Sequence, residues 1–316
     1  MRRFHVELED GRLAGIAFGD PIRSVDCLLL HANGFNAMTY QSILAPLGLR
    51  AHVAALDMRG HGRSTVEANP RKQIGWDVYR DDAIAALEKL APEGTVLVGH
   101  SMGATTAILV AGKRPDLVTG LVLVDPVLMA PSFYRYMHLP LVPSMSKRGY
   151  PMAKQAARRR NNFESPDAAI ESLTGRGAFK SWREPFLEDY ITDGLKPSEE
   201  GEHWELSCSP EWEAANFGAH RYRPWAAVGA IKAPIVLIRA ERASTMPKPS
   251  LQRFMRAQPY TVVLEPSGTT HFVPMERPYV VRDAISEYLA RFVEGFEVGE
   301  EGRVQRNLGS HIGEKD

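Results

Sequence analysis

The sequence predicts an α/β fold in which a doubly wound, mainly parallel sheet carries a mostly helical insertion. Short apolar runs bounded by Gly, Pro or Asp recur along the 316 residues, and runs without alternation are typical of strands buried on both faces. Segments with helical spacing lie between these runs, and strands that alternate with helices form parallel sheets. The alternation stops after Asp125 and resumes at Ala233. This break predicts a single core that is interrupted by an inserted segment.

Six apolar runs are the predicted strands of the sheet. In chain order they read VDCLLL, HVAAL, TVLV, GLVLV, APIVLIRA and YTVVL. The segment WDVYRDDAIAALEKL has apolar residues at helical intervals and stops before Pro92, as helices do ahead of a proline. A second predicted helix, SMGATTAILVAGK, is rich in small residues and ends near Pro115. A third, YVVRDAISEYLARF, follows the last strand.

The inserted segment divides the chain into a core and a cap. Residues 127–217 are rich in aromatic residues and methionine and contain no buried-strand pattern, so we expect a helical cap over the carboxyl edge of the sheet. Residues 1–126 and 218–296 then form the core. Residues 297–316 are polar and rich in glycine, and we expect this tail to be disordered.

Composition excludes several classes of partner. Lys and Arg together number 38, as do Asp and Glu, so the net charge is zero, whereas proteins that coat nucleic acid or anionic membranes are usually basic. No apolar stretch is long enough to span a bilayer, and the first residues lack the apolar core of a secretory signal. Cys27 and Cys208 lie far apart in sequence, which favours reduced, packed thiols, with a disulfide as the alternative. We expect a cytoplasmic protein without stable membrane insertion. Composition does not specify the oligomeric state.

The candidate nucleophile is a serine between two glycines. Gly99, Ser101 and Gly103 form a G-x-S-x-G pattern between the run TVLV and an alanine-rich helix. A strand, a tight turn and a helix in that order lift the serine hydroxyl above the sheet and direct the helix N-terminus at a developing anion. The alternative is a serine that only caps the helix. The setting favours Ser101 as the nucleophile.

A serine hydroxyl needs a base to accept its proton. The stretch EPSGTTHFVPMERP follows the last predicted strand and supplies His271, which fits the chain order of nucleophile, acid and histidine. Glu276, five residues later, is interpreted as a loop or cap contact. The negatively charged oxygen of a tetrahedral intermediate also needs hydrogen-bond donors. We assign this oxyanion hole to the backbone N–H groups of Met102, after the serine, and Asn33, in the early loop HANGF.

Together these stretches resemble the cap-bearing, esterase- and lipase-like enzymes of the α/β-hydrolase fold. The matching motifs are HANGF, DMRGHGRS, GHSMG and HFVPMERP, which lie between residues 31 and 278. Ala32 replaces the glycine that is usual in the first motif. The resemblance implies that Asp57, Arg59 and His61 of the second motif are structural, and that no metal or cofactor takes part.

The acid of the triad is not at its commonest family position. That position, in the loop after the strand IVLIRA, is Ala243 here. Asp125 ends the strand LVLV, where some relatives place their acid, although it could simply cap a turn. Glu241 is the second candidate because its longer side chain could reach the histidine, although it could also be a surface carboxylate. We favour Asp125. An active enzyme should have one of the two, because a triad without its acid loses several powers of ten in rate.

A serine nucleophile favours acyl transfer. We expect a hydrolase of small-molecule carboxylic esters with an apolar moiety, which forms an acyl-enzyme on Ser101 that water, activated by His271, then cleaves. The alternatives are a thioesterase, a C–C bond hydrolase, a cofactor-free perhydrolase, and a ligand-binding protein on a hydrolase scaffold. The run Arg158 to Arg160 is interpreted as a solvated helix face, with an acidic substrate group as the alternative. Candidate pocket residues of the cap are Phe133, Tyr134, Tyr136, Met137, Trp182 and Phe186.

Overall fold

The computed structural model describes residues 1–139 and 150–292. Its main sheet has eight strands in the order β1-β2-β4-β3-β5-β6-β9-β10, and β3 to β6, β9 and β10 run parallel. The strands are β1 Arg2–Leu8, β2 Gly11–Phe18, β3 Cys27–Leu30, β4 Val53–Leu56, β5 Thr95–His100, β6 Val118–Val124, β7 Leu195–Pro197, β8 Trp204–Leu206, β9 Ile235–Ile238 and β10 Val262–Leu264.

Each of the six predicted apolar runs forms a parallel strand, and the predicted fold class is confirmed. The parallel strands other than the edge strand β10 are buried on both faces, because alternate residues of one strand enter different cores. In β3, Leu28 and Leu30 pack with the helices of one face, whereas Cys27 and Leu29 pack on the other. This arrangement explains why the strands read as continuous apolar runs.

The α-helices lie on both faces of the sheet and in the segment between β6 and β9. They are α1 Gln41–Leu44, α2 Asp77–Leu90, α3 Met102–Lys113, α4 Pro131–Met137, α5 Pro151–Ala156, α6 Pro166–Leu173, α7 Phe186–Gly194, α8 Pro210–Gly218, α9 Pro224–Ala230, α10 Lys248–Ala257, α11 Val273–Glu276 and α12 Pro278–Phe292. The three predicted helices correspond to α2, α3 and α12.

The antiparallel edge of the sheet is absent from the sequence prediction. Strands β1 and β2 form a hairpin whose second strand pairs antiparallel with β4. Gly11 ends the turn at φ 139°, and a Cβ atom there would lie 2.6 Å from the carbonyl oxygen of Thr65. A larger residue would therefore strain both the turn and its contact with the neighbouring loop.

The segment between β6 and β9 contains α4 to α9 and the short hairpin β7–β8. That hairpin adds two short strands to the segment predicted to be mostly helical, since strands of three residues are too short to leave a sequence pattern. The predicted cap, residues 127–217, ends one residue before α8 does. Helix α7 packs on the turn Ala37–Tyr40 that follows β3, so this part of the segment lies against a loop at the carboxyl end of the sheet. The predicted tail, residues 297–316, lies outside the described residues.

Both cysteines are buried and free, as the reduced-thiol interpretation expects. Within residues 1–139 and 150–292, no helix is both long enough and apolar enough to cross a bilayer.

Candidate active site

Ser101 lies in the sharp turn between β5 and α3. Its φ of 56° is unusual for a residue other than glycine, and such strain is typical of a serine held at a strand-to-helix turn. Gly103 permits the turn, because a Cβ atom there would lie 2.1 Å from the carbonyl oxygen of Leu30 at the end of β3. The turn therefore depends on close packing of α3 against the neighbouring strand.

Ser101, His271 and Asp125 form a continuous hydrogen-bonded chain. The Ser101 Oγ hydroxyl lies 2.9 Å from Nε2 of His271, and His271 Nδ1–H donates to Asp125 Oδ2 at 2.6 Å. These side chains come from three loops that follow β5, β6 and β10. The loops meet because β5 and β6 are adjacent and β10 lies two strands further along the same sheet.

The loop after β9 wraps around the carboxylate of Asp125. Ser244 Oγ donates to Oδ1 at 2.5 Å, and the N–H of Thr245 donates to Oδ2 at 3.1 Å. Burial by itself raises the pKa of Asp125, but the hydrogen bonds from His271, Ser244 and Thr245 hold that pKa below its usual value. The carboxylate is thus ionised at neutral pH and oriented toward the imidazole. Ser244 and Thr245 were not identified from the sequence. In the stretch ERASTMP they directly follow Ala243, which stands where the family most often has the acid of the triad.

Glu241, the alternative acid, does not bond to the imidazole. Its side chain is exposed, and Oε2 accepts a hydrogen bond of 2.8 Å from the N–H of Gly268. Glu276 instead accepts from both the N–H and the hydroxyl of Thr270. Each of these glutamates therefore holds the loop that carries His271.

The predicted oxyanion donors face no competing acceptor in the described part of the chain. There, neither the N–H of Asn33 nor that of Met102 donates a hydrogen bond to another protein group. Met102 is also the first residue of α3, where the helix dipole is positive. Both N–H groups are therefore free of protein acceptors in the described part of the chain, as donors to a developing oxyanion need to be.

The side chain of Asn33 is fixed by helix α8. Its Nδ2 donates to the carbonyl of Glu213 at 3.0 Å, and its Oδ1 accepts from Nδ2 of Asn216 at 3.0 Å. Asn216 is fully buried, and its own Oδ1 accepts from Gln73 at 2.8 Å and from the hydroxyl of Tyr79 at 2.9 Å. The inserted segment therefore clamps the early loop through a buried amide that bonds on both its oxygen and its nitrogen.

Two buried histidines complete the support of this loop. His31 Nδ1–H donates to the carbonyl of Ala32 while Nε2 accepts from the N–H of Met58. His61 Nε2 accepts from the N–H of Gly34. Burial lowers the pKa of both, that of His61 to about 4, so each is neutral and acts as donor and acceptor at once. This agrees with a structural role for His61.

A second chain of hydrogen bonds joins the loop after β3 to the loop that carries His271. The N–H of Ala32 donates to the hydroxyl of Tyr40 at 3.2 Å, and that hydroxyl donates to Nδ1 of His100 at 2.8 Å. His100 Nε2–H then donates to the backbone carbonyl of His271 at 2.8 Å. Burial lowers the pKa of His100 to about 3, which keeps it neutral. Sequence reasoning assigned His100 no such role.

Ser101 and His271 open into a cavity of about 370 Å³, a volume at the small end of the range for ligand pockets. Asn33, Arg159 and Glu213 contribute polar groups to its wall. Most of the remaining wall is apolar, and its larger members are Phe35, Met152, Leu173, Phe179, Phe217 and Phe272.

The candidate pocket residues of the cap lie elsewhere among the described residues. The hydroxyl of Tyr134 donates to the carbonyl of Val127, and Tyr134 and Met137 are buried. Phe133 packs on the ring of Tyr134. The aromatic composition identified the inserted segment. Its short helices carry no sequence pattern that distinguishes residues that line the cavity from residues that pack in the core.

Two other predicted cap residues also lie away from the wall, Trp182 half-buried and Phe186 buried, and a third is exposed. Trp182 lies one layer behind the cavity, where its ring contacts Phe35 and Phe272. Phe186 is buried in the core, whereas Tyr136 is exposed. Within the described part of the chain, no cluster of three or more His, Cys, Asp or Glu side chains is arranged to hold a metal ion.

Comparison with known proteins gives matches over most of the chain. A sequence model of the alpha/beta hydrolase family matches residues 27–284. The 2-(acetamidomethylene)succinate hydrolase of Mesorhizobium japonicum is 24% identical over 264 residues, which are 83% of this chain and 87% of that protein. A crystal structure of E-2-(acetamidomethylene)succinate hydrolase has a TM-score of 0.72 at 22% identity, covering 92% of this chain and 99% of the other. An esterase of Mycobacterium tuberculosis is 34% identical over 120 residues, 37% of this chain and 38% of its own.

Proposed function

Because the chain belongs to the alpha/beta hydrolase family, we propose that it is a serine hydrolase that cleaves carboxylic esters of small molecules. The observation that carries this proposal is the hydrogen-bonded chain from Ser101 through His271 to Asp125. The likeness to a mycobacterial esterase supports ester cleavage. The relative named for 2-(acetamidomethylene)succinate supports hydrolysis as the reaction class.

Acylation begins when His271 Nε2 accepts the proton of the Ser101 hydroxyl. Oγ attacks the carbonyl carbon, and the resulting oxyanion is bound by the N–H groups of Asn33 and Met102. Asp125 holds the imidazole with Nδ1 protonated and stabilises the imidazolium. The C–O bond of the ester then breaks, and the departing alcohol takes the proton from Nε2.

Deacylation repeats these steps with water. Nε2 accepts a proton from water, whose oxygen attacks the acyl carbon and restores the oxyanion in the same hole. The bond to Ser101 Oγ breaks, Oγ recovers the proton from Nε2, and the carboxylic acid leaves. The apolar wall of the cavity would hold the acyl or alcohol part during both steps.

The proposal is tested with a fluorophosphonate probe, followed by mass spectrometry to locate the adduct. We expect one adduct on Ser101, because phosphonylation needs an activated hydroxyl. The adduct should be absent in Ser101→Ala and form far more slowly in His271→Ala. A folded wild-type protein that gives no adduct at Ser101 would contradict the serine-hydrolase proposal and favour a ligand-binding protein on this scaffold.

The clamp on Asn33 gives a prediction about positioning. Asn216→Asp keeps the acceptor for Gln73 and Tyr79 but loses the donor to Asn33 Oδ1. We expect kcat to fall about 10- to 100-fold, somewhat less than removal of an oxyanion donor, with KM within about threefold because ground-state contacts remain.

The matched control is Gln73→Leu, which removes one bond to Asn216 and leaves the bond to Asn33. It should lower the melting temperature with little change in kcat. Steady-state kinetics and thermal unfolding of both variants make the comparison. An equal fall in kcat for the two variants would show that Asn216 acts only through stability.

A further inference from the structure

Only the middle residue of the arginine run Arg158 to Arg160 lines the cavity. Arg158 is exposed. The guanidinium of Arg160 bonds to the carbonyl of Asn162 and lies 4.9 Å from the ring centre of Phe163. The interpretation of the whole run as a solvated helix face therefore fails for Arg159, which contributes a cation to the same cavity as Ser101.

Arg159 makes two hydrogen-bond contacts within the described part of the chain. Its Nη1 lies 2.5 Å from Glu213 Oε2, and its Nη2 donates to the hydroxyl of Tyr190 at 3.0 Å. A guanidinium has five N–H donors, so these two contacts leave donors unused. The side chain of Arg159 is 23% exposed and that of Glu213 only 9%. Both residues line the cavity, and a larger fraction of the Arg159 side chain than of the Glu213 side chain is accessible there.

The charges of the cavity wall do not cancel. Among the described lining residues, Arg159 and Arg176 are cationic and Glu213 is anionic. Glu213 is paired with Arg159, while the exposed guanidinium of Arg176 has no ion pair within the described part of the chain. One positive charge therefore remains uncompensated in a largely apolar wall.

A wholly apolar substrate would cover the free donors of Arg159 without offering an acceptor. Leaving such a group dry and unpaired is unfavourable, and more so when it is charged. A carboxylate supplies two oxygens in the geometry that a guanidinium fork binds. Of the common substrate groups, a carboxylate therefore fits both the donors and the excess charge.

We propose that the substrate carries a carboxylate remote from the ester, and that Arg159 binds it while Arg176 adds long-range attraction. This inference rests on the proposed ester hydrolysis and names its substrate class. Glu213 and Tyr190 orient the guanidinium beforehand, so little side-chain freedom is lost on binding. Arg159 is thus a specificity residue.

The test compares two esters that differ in one charge, para-nitrophenyl hydrogen glutarate and its neutral methyl ester. We expect wild-type kcat/KM to be at least tenfold higher for the acid. Arg159→Gln should lower kcat/KM for the acid about 10- to 100-fold, in line with loss of a hydrogen bond to a charged group. It should change the value for the neutral ester less than threefold.

Further variants separate charge, geometry and folding. Arg176→Gln should lower kcat/KM for the acid only a few-fold, and this effect should vanish at high salt. Arg158→Gln is the matched control and should change neither ester. Arg159→Lys keeps a positive charge near Glu213 but lacks the paired N–H donors of a guanidinium. We therefore expect its loss of kcat/KM for the acid to be smaller than that of Arg159→Gln. Arg159→Lys and Arg176→Gln carry the test if Arg159→Gln does not fold.

Equal losses on both esters in the Arg159 variants would overturn the inference, and so would a wild-type preference for the neutral ester. Labelling with the neutral fluorophosphonate separates the two proposals. A protein that is labelled on Ser101 but shows no preference for the acid retains the proposed function and loses the carboxylate site. Failure of labelling at Ser101 instead removes the function on which the site depends.

Discussion

Ser101→Ala is expected to lower kcat for ester hydrolysis by about 10⁵- to 10⁶-fold, the scale seen when a triad serine is removed from a hydrolase. Without Oγ no acyl-enzyme can form, and only slow attack by water in the oxyanion hole remains. The backbone at this position has φ 56°, which alanine and serine tolerate about equally, so the fold should be retained. Kinetics with an activated ester and thermal unfolding measure the two effects.

A fall of less than tenfold would contradict the mechanism, provided that the purified variant is free of contaminating esterase. It would mean that water attacks the substrate directly or that another group is the nucleophile. Acyl-enzyme accumulation gives an independent check, because a pre-steady-state burst should appear with the wild type and disappear with the variant.

Asp125→Asn is expected to lower kcat by about 10⁴-fold, whereas Glu241→Gln should change it less than threefold. The amide cannot stabilise the imidazolium, and it favours the tautomer that leaves Nε2 protonated and unable to accept the serine proton. The bonds from Ser244 and from the N–H of Ala240 to Oδ1 can persist in the variant. The stability of Asp125→Asn should therefore change far less than its rate.

Glu241→Gln is the matched control, since it also replaces one carboxylate by an amide near the same loop. It retains an acceptor for the N–H of Gly268. A large loss in Glu241→Gln with a small loss in Asp125→Asn would assign the acid to Glu241. Losses below threefold in both would reject a carboxylate-supported histidine altogether.

The sheet was predictable because its strands have to be buried on both faces, which leaves uninterrupted apolar runs such as CLLL and VAAL. The nucleophile turn was predictable from its two glycines. Gly99 is required by contacts within the strand–turn–helix unit, and Gly103 by the close approach of α3 to the neighbouring strand β3. The hairpin of β1 and β2 was not predictable in this way, because β1 has one buried residue and therefore leaves no apolar run.

The choice between the two acids depended on strand order, which the sequence does not contain. Asp125 and Ser244 lie 119 residues apart, yet they meet because β6 and β9 are neighbours in the sheet. The cavity wall was beyond prediction for a related reason. Helices of six to nine residues, such as α5 and α8, are oriented by the partners on which they pack, so composition alone did not separate Arg159 from Arg158 and Arg160.

Asp125 follows β6 and directly precedes the inserted segment. This position limits how the inserted segment can be exchanged during evolution. Val127 follows within two residues, and its carbonyl accepts hydrogen bonds from Thr105 and Tyr134. Recombination that exchanges whole caps at this junction would risk losing the acid, whereas an exchange that begins after Val127 would preserve it. The sequence of the loop after β9 can vary more widely, because this loop must supply hydrogen-bond donors to Asp125 but no ionisable group.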